Sequence, residues 1–113
     1  MYLELLTTAT AIQQDLATAY TQTDRLEEVG HYFRTLNLAT LLFFEQVEPP
    51  AACREIHAAF LKWQKLGQEA LAEEIAAGEP VDTDTTRRYL AASREFSQAM
   101  ANFAVAAQEV EPA

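Results

Sequence analysis

Proline and glycine punctuate this chain strongly at only two places, Pro49-Pro50 and Gly78-Glu79-Pro80. Between and around them run long stretches rich in Ala, Leu, Gln and Glu, residues that favour helix. With 3 Gly and 4 Pro in 113 residues there is no material for the many tight turns of a β protein, so the chain must be built from a few long helices. Pro50 ends one helix because it disfavours helical backbone at Pro49, and a proline is welcome in the first turn of the next. In the run AAGEPVDTDT, Gly78 suits a C-terminal cap, and Asp82, Thr83 and Asp84 are candidate N-caps.

The first 47 residues hold a softer break. Asp24 and Glu27 stand at capping-box spacing. The apolar stripe of Leu5, Ala9, Ile12, Leu16 and Tyr20 does not run in phase into Leu26, Val29, Phe33 and Leu36; at about 100° per residue its centre shifts by roughly a quarter turn. This predicts a hairpin. The alternative is a continuous helix from residue 2 to 47, about 68 Å long at 1.5 Å per residue, in an arrangement of three long helices that demands a dimer. Further on, Cys53, Ile56, Phe60, Trp63, Gly67, Ala70 and Leu71 share one helical face, and Tyr89, Phe96, Met100, Phe103, Ala107 and Val110 share another. Short connections favour antiparallel neighbours. The expected architecture is an all-α, antiparallel four-helix bundle in one domain spanning 1–113, with helices near 2–21, 24–47, 50–77 and 83–110.

Within this frame the stretch TLNLATLLFF, residues 35–44, has no charge and is apolar nearly all round. From Leu5 to Thr23 the only charged residue is Asp15. Solvated helix faces usually carry charge, and interface cores are depleted of it. Leu6, Thr10, Gln13, Leu38, Leu41 and Leu42 are therefore the candidate interface residues. The function they predict is a non-catalytic interaction or assembly module, a homo-oligomer or one bound to another protein.

Charge and hydropathy exclude other kinds of work. A net charge of −9 repels phosphate backbones and anionic lipid, so no nucleic-acid partner is expected, although an acidic inhibitor of a basic partner is an alternative. No apolar window reaches the roughly 18 to 20 residues needed to span a bilayer. The start lacks a basic signal region and the single Cys53 cannot form an internal disulfide, which together predict a cytoplasmic protein; an extracytoplasmic domain with its signal removed is the alternative.

Few constellations suggest chemistry. Glu28 and His31 have the Glu-x-x-His spacing of di-iron bundles, in one copy where two are needed. Cys53 and His57 are four residues apart and supply two ligands of the four a zinc site requires. These four residues are weak metal candidates, and neither metal nor cofactor is expected. There is no phosphate loop, nucleophile elbow or CxxC pair, and Ser93 and Ser97 have no identifiable base, so no catalytic residue is assigned. Glu74 falls on an apolar stripe near Arg87 and Arg88, which predicts a salt bridge. Phe60, Trp63, Tyr89, Phe96 and Phe103 read as core, with a small-ligand pocket between helices as the alternative.

Overall fold

The computed structural model describes residues 1–110 of the chain, with side chains as far as residue 106. Its four helices are α1 (Tyr2–Gln22), α2 (Leu26–Glu45), α3 (Arg54–Ala77) and α4 (Asp84–Val110), and a short 3-10 turn, Ala51–Cys53, leads into α3. They form an all-α four-helix bundle.

The hairpin forms, and the single rod from 2 to 47 does not. Thr23 is extended (φ −85°, ψ 148°) and its Oγ1 accepts the Arg25 N–H at 2.9 Å, which turns the chain. The expected Asp24–Glu27 capping box is absent, since Arg25 is the N-cap of α2 and makes no side-chain cap bond. Packing closes the hairpin instead. Tyr20 meets Phe33 edge-on with ring centroids 6.0 Å apart. A Cβ on Gly30 would stand 3.1 Å from both Tyr20 Cε1 and Ile75 Cγ1, so α1, α2 and α3 converge where α2 has no side chain.

The other junctions follow their punctuation. Gly78 takes the left-handed conformation (φ 75°) and its N–H bonds back to the carbonyls of Glu74 and Ile75, a cap that glycine adopts without steric cost. Thr83 caps α4, its Oγ1 accepting the Thr86 N–H at 3.2 Å. α2 stops at Glu45, two residues short of the expected end, and Pro50 opens the 3-10 turn rather than α3 itself.

Cross-helix contacts fix an up-down order. Tyr2 meets Phe44 and Tyr20 meets Phe33, so α1 and α2 are antiparallel. Phe44 meets Phe60 while Asn37 meets Gln64, and Phe60 meets Phe96 while Gly67 lies under Tyr89; α2 with α3, and α3 with α4, are antiparallel in turn. The large apolar cluster includes Leu6, Phe44, Ile56, Phe60, Trp63 and Phe96, and a smaller one joins Tyr20, Phe33 and Leu71. Between the two lies a polar layer. Asn37 donates to Gln64 Oε1, and Gln68 donates to Asn37 Oδ1 at 2.6 Å and to the Arg34 carbonyl at 2.7 Å. α4 packs along α3 and α1 along α2, which leaves the side between α1 and α4 open.

The α3 stripe read from the sequence, Cys53 to Leu71, is buried throughout. On α4 Phe96 is buried while Tyr89, Met100 and Phe103 are half-buried; Ala107 and Val110 lie outside the residues whose side chains are described. Phe60, fully buried at the centre of the large cluster, touches the rings of Phe44, Trp63 and Phe96. Phe60→Ala is expected to cost about 3 to 5 kcal/mol of unfolding free energy, measured by urea titration followed by circular dichroism.

Candidate functional site

α1 turns a different face to the core from the one its pattern suggested. Tyr2, Leu6, Gln13 and Tyr20 are buried, while Leu5 and Ile12 are 42% and 48% exposed. Leu5 and Leu6 are equally apolar, so hydropathy alone does not choose between them. Partners on other helices do. The Tyr2 hydroxyl is hydrogen-bonded to His57 Nδ1 at 2.7 Å, Gln13 donates to Thr40 Oγ1 at 3.3 Å, and Tyr20 donates to Glu74 Oε1 at 2.9 Å. Each bond draws a polar tip inward, and together they rotate the helix by about one residue.

Burial corrects half of the expected interface. Leu6 is fully buried, Gln13 and Leu41 are interior, and Thr10 is half-buried with its hydroxyl bonded to the Leu6 carbonyl at 2.8 Å. Leu6, Gln13 and Leu41 are interior rather than surface. Leu38 and Leu42 do stand in solvent, at 43% and 54% exposed. Phe43 is 51% exposed, whereas Phe44 is buried in the core. The solvent-facing arc of α2 from Leu38 to Phe43 is thus apolar. Beside it a depression of about 620 Å³ between α1 and α2 is lined by Leu5, Ala9, Ile12, Leu36, Ala39 and Phe43.

The metal candidates are not brought together. Glu28 pairs with Arg25 at 3.6 Å and His31 lies 4.0 Å from Glu27, all at the exposed start of α2. Cys53 and His57 are buried at the other end of that helix, about 20 Å away along its axis. Among the described residues no group of three or more His, Cys, Asp or Glu side chains could hold an ion. His57 is a core residue rather than a flanking one: its ring lies 5.7 Å from Tyr2 and 6.5 Å from Phe44. Burial lowers its pKa, against the opposing pull of the Glu48 charge and the Phe44 carbonyl. Burial and the neighbouring Cys53 sulfur push the Tyr2 hydroxyl up to about 12, so it keeps its proton at neutral pH.

Glu74 also departs from expectation. It accepts the Tyr20 hydroxyl and, through Oε2, the Val81 N–H at 3.1 Å. Arg87 and Arg88 turn instead to Asp82 at 3.3 Å and Asp84 at 2.9 Å. Glu74 therefore ties α1 and the α3–α4 connection to α3. No helix is long and apolar enough to cross a membrane among the described residues. Comparison with protein-family models, curated proteins and solved structures finds no match to this chain.

The buried His57 makes stability depend on pH. In the unfolded chain it protonates near 6.5, whereas the folded state holds it neutral to lower pH. The unfolded state thus binds more protons between those two values, and stability falls as the pH drops through that window while remaining full above it. Melting temperatures between pH 8 and pH 5 are expected to show this decline in the wild type and a flatter profile in His57→Gln.

Proposed function

We propose that the protein is a non-catalytic assembly module that pairs with a second copy of itself through the outer faces of α1 and α2. The exposure of Leu5, Ile12, Leu38, Leu42 and Phe43 on two neighbouring helices carries this reading. Scattered exposed leucines are ordinary on a monomer, but adjacent ones around an uncharged helix arc form the kind of patch that marks an interaction site. The charge distribution supports the same face. Two copies at −9 repel each other wherever their acidic surfaces meet, and residues 35–44 of α2 contribute no charge to that repulsion. α1 adds only Glu4 and Asp15 over its whole length. A symmetric pairing would let Phe43 and Ile12 of one copy fill the α1–α2 depression of the other.

Light scattering on a sizing column across a dilution series tests this. The expected species is a dimer of about 25 kDa, twice the 12.6 kDa chain, and added salt is expected to strengthen it by screening the like charges. Phe43→Glu and Ile12→Glu are each expected to weaken dimerisation at least about tenfold, since each buries an unpaired charge in the interface. A chain that stays at 12.6 kDa at high concentration, or a dimer indifferent to both substitutions, would overturn the reading.

A further inference from the structure

The open side of the bundle between α1 and α4 is a groove of about 580 Å³ with α3 as its floor. This size falls in the range of small-molecule sites. Much of the lining is apolar, with Ala17 on α1, Ala70 and Leu71 on α3 and Leu90 on α4. One end differs. There Glu74 on α3 lines the groove together with Tyr20 on α1 and Tyr89 on α4. Its carboxylate accepts the Tyr20 hydroxyl at 2.9 Å. Burial and this bond to Glu74 push the Tyr20 pKa up. Burial also raises Tyr89, the Trp63 indole directed at its oxygen opposes the rise, and the Glu74 charge adds to it. Both phenols therefore keep their protons at neutral pH and bring no charge of their own. Gly67 lets the Tyr89 ring lie close over α3, since a Cβ there would stand 3.2 Å from Tyr89 Cε1.

Charge decides what such a groove would take. The two hydrogen bonds to Glu74, from the Tyr20 hydroxyl and the Val81 N–H, come from neutral donors, and a carboxylate has about four acceptor sites. Arg87 and Arg88, the cations at the start of α4, are engaged by Asp82 and Asp84. Among the described residues no Lys, Arg or His forms an ion pair with Glu74, and none lines the groove. Glu74 is half-buried and is the one carboxylate in the lining. An unmatched negative charge at the end of an apolar groove, on a chain of −9, is the electrostatic complement of an organic cation. The tyrosine rings beside it add to the preference, because the negative face of an aromatic ring attracts ammonium groups.

We propose that the α1–α4 groove binds a small organic cation, an ammonium group on an apolar body, with the ammonium at Glu74 beside Tyr20 and Tyr89 and the body lying along Ala70. This site is separate from the self-association face. Leu5 and Ile12 line the depression on one flank of α1, whereas Gln13 and Tyr20 line the groove on another.

Phenylbutylamine, phenylbutanol and phenylbutyrate are suitable probes, since they share one apolar body and differ in carrying an ammonium, a hydroxyl or a carboxylate. Each is titrated into isotope-labelled protein and followed by amide chemical shifts. The expected result is saturable binding of one amine per chain, with shift changes centred on Ala17, Ala70, Glu74 and Leu90. The alcohol is expected to bind at least about tenfold more weakly, and the carboxylate more weakly still. Glu74→Gln is expected to bring the amine down to the affinity of the alcohol. Glu69→Gln, which removes the same charge from the exposed surface of α3, should leave the amine unchanged. That pair separates the groove from a general attraction of cations to an acidic chain. Ala70→Leu, which fills the floor, is expected to weaken the amine at least about tenfold. Circular dichroism establishes that each variant is folded, and the wild-type shift map and Ala70→Leu decide the matter should Glu74→Gln fail to fold. Absence of saturable binding, an amine no tighter than the alcohol, a preference that survives Glu74→Gln, equal loss in Glu69→Gln, or shift changes away from the groove would overturn the proposal.

Discussion

The buried amides of Asn37 and Gln64, joined by the half-buried Gln68, set the terms for the rest of the molecule. Apolar side chains tolerate sliding past one another, but a buried amide left without its partner costs about 1 to 3 kcal/mol. Asn37 and Gln64 are 2% and 1% exposed and bond to each other, so one register of α2 against α3 satisfies them and a shift by a helical turn would not. Gly67 makes room for the layer, because a Cβ there would stand 3.2 Å from Asn37 Nδ2. With α2 and α3 fixed, α1 is positioned by Tyr2 and Tyr20 through their bonds to His57 and Glu74 on α3, and α4 by the stacking of Phe96 on Trp63.

The fold class and the junctions at Pro49-Pro50 and Gly78 were legible because they rest on local backbone chemistry, which a single sequence displays. The face of α3 was legible too, since Cys53 to Leu71 form a stripe with clear polar opposition. The rotation of α1 was not. Its stripe could be drawn through Leu5 and Ile12 or through Leu6 one residue on, and the choice is made by Tyr2, Gln13 and Tyr20 finding acceptors and donors on other helices. Asn37 and Gln64 were missed for the same reason: a polar residue on an otherwise apolar helix reads as surface until its buried partner is known. A signal did exist in Gly30 and Gly67, glycines inside strong helical patterns, which mark places where helices come close. The misplacement of Leu6 and Gln13 at the surface follows from the same rotation, while Leu41 is buried on α2.

α1 gains an unusual role from this geometry. Its buried polar tips hold it to the bundle, while Leu5 and Ile12 on one flank and Gln13 and Tyr20 on another meet quite different surroundings. Between Leu5 and Thr23 its single charge, Asp15, leaves it poorly suited to serve only as a solvent-covered helix. The Thr and Gln residues that replace charge on α1 are side chains that accept either water or a partner, and the self-association face proposed for it draws on that neutrality.

The open side of the bundle also bears on how the chain reaches this structure. In a closed up-down bundle the first and last helices must find each other across the whole length of the chain, and that pairing closes the largest loop. Here the principal pairings join helices adjacent in sequence, α1 with α2, α2 with α3 and α3 with α4. Each can form behind a short connection with little loop-closure entropy to overcome. The chain therefore has the low contact order of proteins that fold on the order of microseconds to milliseconds, and each helix can dock as it follows its predecessor.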